Sequence, residues 1–362
     1  MHLLILNYKS SNLLSLLAPV ARCAKARGHG VLLLNADHLA DRKELAELAC
    51  LGIEVRDVEA LASGSPEEVE QALGELLLGE TLDALILPAE SDHPEHRLGR
   101  AAVRAFRRRA LPSLVLQHGL LFEPELYLPF EADLMAVWSS WYKKRLMALG
   151  AEGGRLRVTG SPKFDALAGG SRGAEKNTIT LATNTHWARY TEEQNRALFR
   201  SLYPALEELG EHLTIKLHPE EVRQGRNYYM EGLEDFSFPR EVIRGPVHWP
   251  ELLSRSKVLL HTCSTVALEA IIAGVPVITI DFTEKLSLFD GGDAALTVRE
   301  GEELLPALRQ ALLNPEEALR RQAPLVAKHN YLNDGRAAER VVDLLEGLDR
   351  ARKGSSLAQP VL

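Results

Sequence analysis

Cysteine is scarce in this chain and basic residues are outnumbered by acidic ones, and both shortages exclude classes of function. The three cysteines, Cys23, Cys50 and Cys263, are far apart and odd in number, which argues against a disulfide framework and against a zinc site. The formal net charge of −8 leaves no general excess of positive charge for nucleic acid. We therefore expect no nucleic-acid partner and no zinc site. Nor do we predict another bound metal or a cofactor.

Long apolar runs are missing as well. No stretch approaches the roughly 20 apolar residues of a membrane span, and the first residues lack a basic region followed by an apolar stretch and a small-residue cleavage site. Hydrophobic residues make up 46% and charged residues 25%, which is ordinary for a globular protein. These features predict a cytoplasmic protein.

Strand-like apolar runs alternate with helical patterns in two series, which predicts parallel sheets covered by helices on both faces. The predicted strands are 2–7, 31–34, 82–87, 114–117 and 134–137, then 178–182, 213–217, 258–261, 275–280 and 295–298. We expect an α/β protein with two Rossmann-like, doubly wound domains that face each other across a crevice. The expected domains are 1–170 on the acceptor side and 171–335 on the nucleotide side, followed by a helix over 336–352 that packs on the first domain and a disordered tail over 353–362.

Two strand ends in the second series carry the most informative residues. The first ends in Lys216, His218 and Pro219, and the second turns through Thr262, Ser264 and Thr265 into a predicted helix. Hydroxyl residues at a helix start leave backbone N–H groups and the positive end of the helix dipole available for phosphate. The pattern predicts a nucleotide phosphate leaving group, and hence a transferase with an activated donor. Lys216 also fits a solvated strand residue with no such role.

A wider set of motifs resembles bacterial surface-polysaccharide transferases of the GT-B fold, above all the CDP-glycerol glycerophosphotransferases and the sialyl- and polysialyltransferases. The motifs are Gln117-His118-Gly119, Thr159 to Asp165, Lys216 to Pro219, Ser264-Thr265 with Glu269-Ala270, Gly274 to Val277, and Asn333 to Arg336. The resemblance implies a GT-B fold and a metal-independent, inverting glycosyl or glycerophosphoryl transfer, as in capsule synthesis. It implies a CMP- or CDP-linked donor and a glycan or lipid-linked glycan acceptor. His218 would then contact the donor phosphate, and the donor-binding residues would be Lys216, Pro219, Thr262, Ser264, Thr265, Glu269 and Ser161.

An inverting transfer needs a base for the acceptor hydroxyl, and three residues compete for that role. The resemblance assigns it to His118, whose glycine neighbour permits close approach of a substrate. Glu90 and Asp92 follow the preceding predicted strand and are rivals, because carboxylates serve as bases in the related sialyltransferases. The three alternatives stay open.

Other functions compete with the transferase interpretation. A non-hydrolysing UDP-N-acetylglucosamine 2-epimerase shares the fold, and Glu269 and 281–285 loosely resemble that family. Against it, Gln117-His118-Gly119-Leu120 stands where the epimerases have a His-Val-Glu-Ala-Gly type of sequence. A UDP-sugar transferase of the GT-B fold and a carrier-binding protein without catalysis are further alternatives. A metal site in 90–96 is a weaker interpretation of that segment than an active-site loop. A cation loop in 290–293 is a weaker interpretation than a turn.

The helical pattern over 98–109 carries basic residues at intervals of three and four. Arg97, Arg100, Arg104 and Arg108 fall on one stripe, which predicts either peripheral contact with anionic lipid through 97–109 or an ordinary solvated helix face.

Overall fold

The computed structural model describes residues 1–8, 13–38, 40–58, 61, 64–121, 124–169, 175–183, 191–225, 228–262, 264–283 and 296–357. The chain divides into two compact units. Unit 1 comprises Met1–Asp165 and Lys328–Leu362, and unit 2 comprises Ala166–Ala327. The chain thus enters unit 2 near the predicted boundary at 170 but returns to unit 1 a few residues before the predicted one at 335.

Unit 1 contains a parallel sheet in the order β3-β2-β1-β4-β5-β6-β7. Its strands are β1 His2–Asn7, β2 Gly30–Asn35, β3 Glu54–Asp57, β4 Ala84–Leu87, β5 Ser113–Leu116, β6 Leu134–Val137 and β7 Leu156–Val158. Its helices in the described residues are α1 Leu14–Ala26, α2 Arg42–Cys50, α3 Pro66–Leu76, α4 Arg97–Arg108 and α5 Ser140–Ala148.

Unit 2 contains a second parallel sheet in the order β10-β9-β8-β11-β12-β13. Its strands are β8 Thr178–Ala182, β9 Leu213–Lys216, β10 Arg240–Ile243, β11 Ser256–His261, β12 Val277–Ile280 and β13 Leu296–Val298. Its helices in the described residues are α6 Glu192–Leu209, α7 Pro219–Arg223, α8 Trp249–Ser254, α9 Val266–Ile272, α10 Leu304–Leu313 and α11 Pro315–His329, the last of which ends in unit 1.

Each sheet begins at a central strand, is extended on one side and then continues on the other. This order is the Rossmann arrangement, and it places a topological switch point between β1 and β4 in unit 1 and between β8 and β11 in unit 2. The prediction of two parallel, doubly wound α/β domains is therefore confirmed. Ligands of such sheets bind beyond the carboxyl ends of the strands at the switch point.

The final helix, α12 Ala337–Leu357, packs on unit 1, where Val341, Val342 and Leu345 join the core formed by α1 and the sheet. It runs past residue 352, so the predicted disordered tail is wrong for 353–357, while 358–362 lies outside the described residues. The start of α12 is capped from a distance, because the Asp165 carboxylate accepts the backbone N–H groups of Ala337 and Ala338 at 2.9 and 2.8 Å.

Local sequence accounts for the long helix of unit 2. Thr191 and Gln194 form a capping box at the start of α6, since each side chain accepts a backbone N–H from the other residue. Gly210 ends the helix in the left-handed region, at φ 63°. The buried face of α6, including Leu198, packs on the unit 2 sheet.

Candidate functional site

The carboxyl edge of the unit 2 sheet gathers the strand-end residues that the sequence singled out. The strand register aligns Lys216 of β9 with Ala182 of β8, and Ala182 with His261 of β11. Register partners share a face of the sheet, so the Lys216 and His261 side chains lie on one face on either side of the small Ala182. The turn after β11 follows directly and carries Thr262, which is buried, and Ser264.

His261 is the residue that holds this turn in place. Its ring is fully buried, Nδ1 accepts the Ser264 backbone N–H at 3.2 Å, and Nε2 lies 2.9 Å from the Thr279 hydroxyl. Because Nδ1 is an acceptor, the neutral ring carries its proton on Nε2 and donates it to Thr279. Burial lowers the pKa of His261 to about 3, so the ring stays neutral near physiological pH. The sequence analysis did not assign His261 a role, although a histidine at the end of a buried strand is itself a signal.

The helix start after this turn differs from the expectation. Helix α9 has seven residues, and its N-cap, Thr265, has helical backbone angles and makes no capping hydrogen bond with its side chain. The Ser264 N–H is taken by His261, and the Val266 N–H reaches the Ser264 hydroxyl at 3.4 Å. These two backbone N–H groups, which were expected to face a phosphate, thus donate to side chains of the protein instead. Phosphate binding by Ser264 and Thr265 stays a prediction, and Cys263 lies outside the described residues.

His218 stands at a turn that is fixed on both sides. Its backbone N–H donates to the Thr183 hydroxyl at 2.9 Å and to the Glu221 carboxylate at 3.2 Å, and the Thr183 hydroxyl also donates to Glu221. Pro219 begins α7 directly after it. The imidazole is half-buried, so this arrangement holds a partly exposed ring at the carboxyl edge.

The remaining candidates in unit 2 are buried. Lys216 is only 7% exposed, which contradicts its interpretation as a solvated strand residue, and its ammonium donates to the Leu217 carbonyl at 2.6 Å. Burial lowers the pKa of Lys216 to about 8, although Glu221 opposes the shift. Glu269 is buried in α9. The strand-end segments 184–187, 284–285 and 290–293 lie outside the described residues.

In unit 1, Glu90 follows β4 but both of its oxygen atoms are occupied. Oε1 pairs with the Arg100 guanidinium, and Oε2 accepts the backbone N–H groups of Glu131 and Ala132 at 2.6 and 3.1 Å. Burial raises the pKa of Glu90, while Arg100 opposes the shift. Asp92 is 65% exposed and pairs with the same guanidinium at 2.6 Å. This carboxylate cluster anchors the chain near residue 131, and the assignment of Glu90 or Asp92 as a base stays untested.

His118 follows β5 and forms a pair with Tyr127. The ring Nδ1 lies 2.9 Å from the Pro88 carbonyl, which only accepts, so Nδ1 carries the proton. Nε2 in turn lies 3.2 Å from the Tyr127 hydroxyl, which donates to it in the neutral ring. The His96 ring packs edge-on against His118 at 6.0 Å between centroids. The structure thus selects one tautomer of His118 and places an imidazole and a phenol side by side.

Ser161, expected to bind the donor, is fully buried inside unit 1. Its backbone N–H donates to the Asn330 side chain at 2.9 Å, and its hydroxyl has no hydrogen-bond partner among the described residues. Asn330 also binds Asn333 at 2.7 Å, so two motifs far apart in sequence meet here. These contacts tie the returning chain to the end of β7.

The arginine stripe of α4 is not a free cationic surface. Arg100 is buried, Arg104 and Arg107 pair with Glu131, and Arg108 pairs with Glu70. The helix face over 97–109, for which lipid contact and an ordinary solvated face were the two predictions, is therefore largely neutralised by ion pairs. Among the described residues, no helix is long and apolar enough to cross a membrane, and no group of three or more His, Cys, Asp or Glu side chains is placed to hold a metal ion.

Comparison with solved structures defines the fold class as GT-B-like. The UDP-GlcNAc 2-epimerase of Neisseria meningitidis, described as bound to UDP-GlcNAc, is 17% identical, with 96% of this chain and 100% of that chain covered and a TM-score of 0.69. The enzyme of Methanocaldococcus jannaschii, described in complex with UDP-GlcNAc and UDP, is 16% identical over 96% and 99%, with a TM-score of 0.68. A glycosyltransferase from Rickettsia africae is 11% identical over 96% and 98%, with a TM-score of 0.60.

A family model described as UDP-N-acetylglucosamine 2-epimerase matches residues 131–346, more than half of the chain. The protein belongs to this family. A search of curated proteins found no match.

The family match corrects the functional prediction. The transferase with a CMP- or CDP-linked donor is wrong, and the resemblance to the glycerophosphotransferases and sialyltransferases extends no further than the shared GT-B fold. Two of the motifs behind that resemblance, Lys216 to Pro219 and Ser264-Thr265, were interpreted as a site for nucleotide phosphate. A nucleotide-sugar epimerase and a transferase both need such a site, so these motifs did not separate the two classes. Residues 117–120, which differ from the epimerase pattern, lie outside the matched range.

Proposed function

We propose that this protein interconverts UDP-N-acetylglucosamine and its epimer at C2. The observation that carries the proposal is the family match over 131–346, which includes all of unit 2, Ala166–Ala327. The polar residues at the carboxyl edge of the unit 2 sheet support a nucleotide-sugar ligand, because that edge is where such sheets bind nucleotides. No acceptor is required for this reaction.

The chemistry sets two requirements. Inversion at C2 breaks the C2–H bond and forms a new one on the opposite face. No carbonyl group adjoins C2 in the sugar ring, so the C2 proton is weakly acidic unless the electron pair of the C–H bond can form a new bond. That pair forms a C1=C2 double bond as UDP leaves C1 with the electrons of its own C1–O bond. Return of a proton to the opposite face of C2 and of UDP to C1 then gives the epimer. The site must therefore stabilise negative charge on the diphosphate and supply a group that exchanges a proton with C2.

We assign stabilisation of the negative charge on the diphosphate to the carboxyl edge of the unit 2 sheet. We assign proton exchange with C2 to His118 together with Tyr127. His218 is partly exposed at a rigid turn, which suits an imidazole that meets a phosphate. His118 has a fixed tautomer and a phenol on Nε2, so a proton taken up by Tyr127 from substrate is matched by transfer of the phenol proton to Nε2. Glu90 suits this role less well, because Arg100 and two backbone N–H groups already occupy its oxygens.

The test is an NMR assay with UDP-N-acetylglucosamine alone. We expect the signals of the C2 epimer to appear without an acceptor, and His118→Gln to lower the rate by about 10²–10⁴. His212→Gln is the matched control, because this imidazole precedes β9 at the opposite edge of the unit 2 sheet and contacts Thr178 at 2.9 Å. Unchanged substrate with the wild-type protein contradicts the proposed function, and full activity of His118→Gln contradicts the assignment of the proton-transferring pair.

A further inference from the structure

Lys216 is a buried cation with few partners. Its ammonium carries three N–H donors, and the described residues provide one acceptor, the Leu217 carbonyl at 2.6 Å, and no ion pair. A buried charge without a counter-charge costs stability, because the protein replaces only part of its hydration. Such a residue is a candidate for binding an oppositely charged ligand.

The position of the ammonium supports this role. Lys216 ends β9, and Nζ turns forward to the carbonyl of the next residue, so the charge lies at the carboxyl edge of the sheet. On the same face, the register position between Lys216 and His261 is Ala182, which brings no charge or polar side-chain group next to the ammonium. The half-buried His218 follows two residues later along the chain.

None of the charged and titratable groups that the structure describes around Lys216 forms an ion pair with it. Glu221 of α7 attracts the charge and raises the pKa, but its carboxylate is bound by Thr183 and the His218 N–H. His261 on the same face is neutral. Glu241, two positions before the register partner of Lys216 on the neighbouring strand β10, pairs with Arg255 at 2.9 Å.

We propose that the Lys216 ammonium pairs with the diphosphate of the nucleotide, so that nucleotide binding is coupled to protonation of this lysine. The inference rests on the proposed function, because it takes the ligand to be a nucleoside diphosphate sugar. The phosphate charge stabilises the protonated amine and so raises the pKa of Lys216 in the complex. Binding therefore takes up a proton at any pH where the free protein has partly lost it, and affinity falls as the pH rises through that range.

The experiment is calorimetry with UDP at pH 8 in two buffers of different ionisation enthalpy, which counts the protons taken up. Since burial places the pKa of Lys216 at about 8, we expect the wild-type protein to take up about half a proton per UDP at this pH and much less at pH 6.5. The phosphates of UDP are themselves ionised at pH 8, since the second phosphate pKa is about 6.

Three variants make the test specific. Lys216→Met removes the charge and is expected to bind UDP roughly 10- to 100-fold more weakly, without proton uptake. Lys216→Arg keeps a permanent charge and is expected to bind more tightly than Lys216→Met, also without uptake. Lys176→Met is the matched control, because Lys176 also donates to a backbone carbonyl, that of Gly274 at 2.7 Å, but precedes β8 at the opposite edge.

Thermal unfolding shows whether the Lys216 variants fold, and removal of a buried charge that forms no ion pair with the described residues is expected to leave the melting temperature unchanged or higher. Wild-type affinity and proton uptake in Lys216→Met overturn the inference, as does loss of UDP binding in Lys176→Met to the same extent. A wild-type protein that binds UDP with Lys216-dependent uptake but does not epimerise its substrate contradicts only the proposed function. Absence of UDP binding by the wild-type protein overturns both.

Discussion

Acid should destabilise this protein through His261. The buried ring accepts the Ser264 N–H on Nδ1 and donates from Nε2 to Thr279, so a second proton must bind Nδ1, where it breaks the hydrogen bond from the Ser264 N–H. Protonation would release the turn after β11, which carries Thr262 and Ser264. Stability and the shape of the candidate site are thus linked through one imidazole.

The size of the effect follows from the two pKa values. The pKa of His261 is about 3 in the native protein, against about 6.5 in the unfolded chain. Between these values the unfolded state binds the proton and the native state does not, so the stabilisation is complete above pH 6.5 and is lost as the pH falls toward 3. The pH of 5 lies about 1.5 below the pKa of the unfolded chain, so protonation of His261 stabilises the unfolded chain by about 2 kcal/mol, at 1.36 kcal/mol per pKa unit.

The assay compares urea unfolding of the wild-type protein and His261→Gln at pH 7 and pH 5. Glutamine retains one acceptor and one donor but does not titrate, so we expect the wild-type protein to lose about 2 kcal/mol more than the variant between the two pH values. His212→Gln is the control for the loss of an imidazole outside this turn. Equal losses in the wild-type protein and His261→Gln would refute the reasoning.

Two further predictions concern packing in unit 1. Gly99→Ala should lower stability by about 1–3 kcal/mol in thermal unfolding, because an added Cβ would clash with the Tyr8 hydroxyl and the Ala89 carbonyl oxygen. Gly74→Ala, in α3 with nothing within 4 Å of the added Cβ, should be neutral or stabilise by up to about 1 kcal/mol, and matched losses in both variants would contradict the close packing. Asp165→Asn should cost about 1 kcal/mol in urea unfolding, because one amide oxygen replaces the two carboxylate oxygens that cap α12, whereas the exposed Asp343→Asn should cost less.

The sequence predicts the centre of each sheet better than its edges. Central strands such as β1 and β8 are buried on both faces and contain no charged residue: β1 carries the apolar run Leu3–Leu6, and β8 combines apolar residues with threonine, so their bounds were predicted correctly. Strands β3, β7 and β10 lie at sheet edges and were not predicted, because each mixes charged with apolar residues over three or four positions. Such short mixed segments resemble loops until a neighbouring strand supplies hydrogen bonds.

The sequence predicts which residues lie along the carboxyl edge of each sheet, but it does not predict which other residues they contact. Parallel strands bring their carboxyl ends to one edge, so the polar residues after β9 and β11 could be predicted to lie along the same edge of the sheet. Whether such a residue is available depends on partners far away in sequence, such as Asn330 for Ser161, 169 positions apart. Glu90 shows the same limit, because its partners on the segment near residue 131 cannot be read from the residues around it.

Deuterium at C2 tests the central claim most directly, because epimerisation exchanges that hydrogen and transfer of the sugar does not. The protein is incubated with UDP-N-acetylglucosamine in D₂O with no acceptor, and both epimers are examined by NMR and mass spectrometry. We predict that the C2 epimer forms and carries one solvent deuterium at C2. A protein that forms no C2 epimer, or forms it with its original hydrogen retained, contradicts the account.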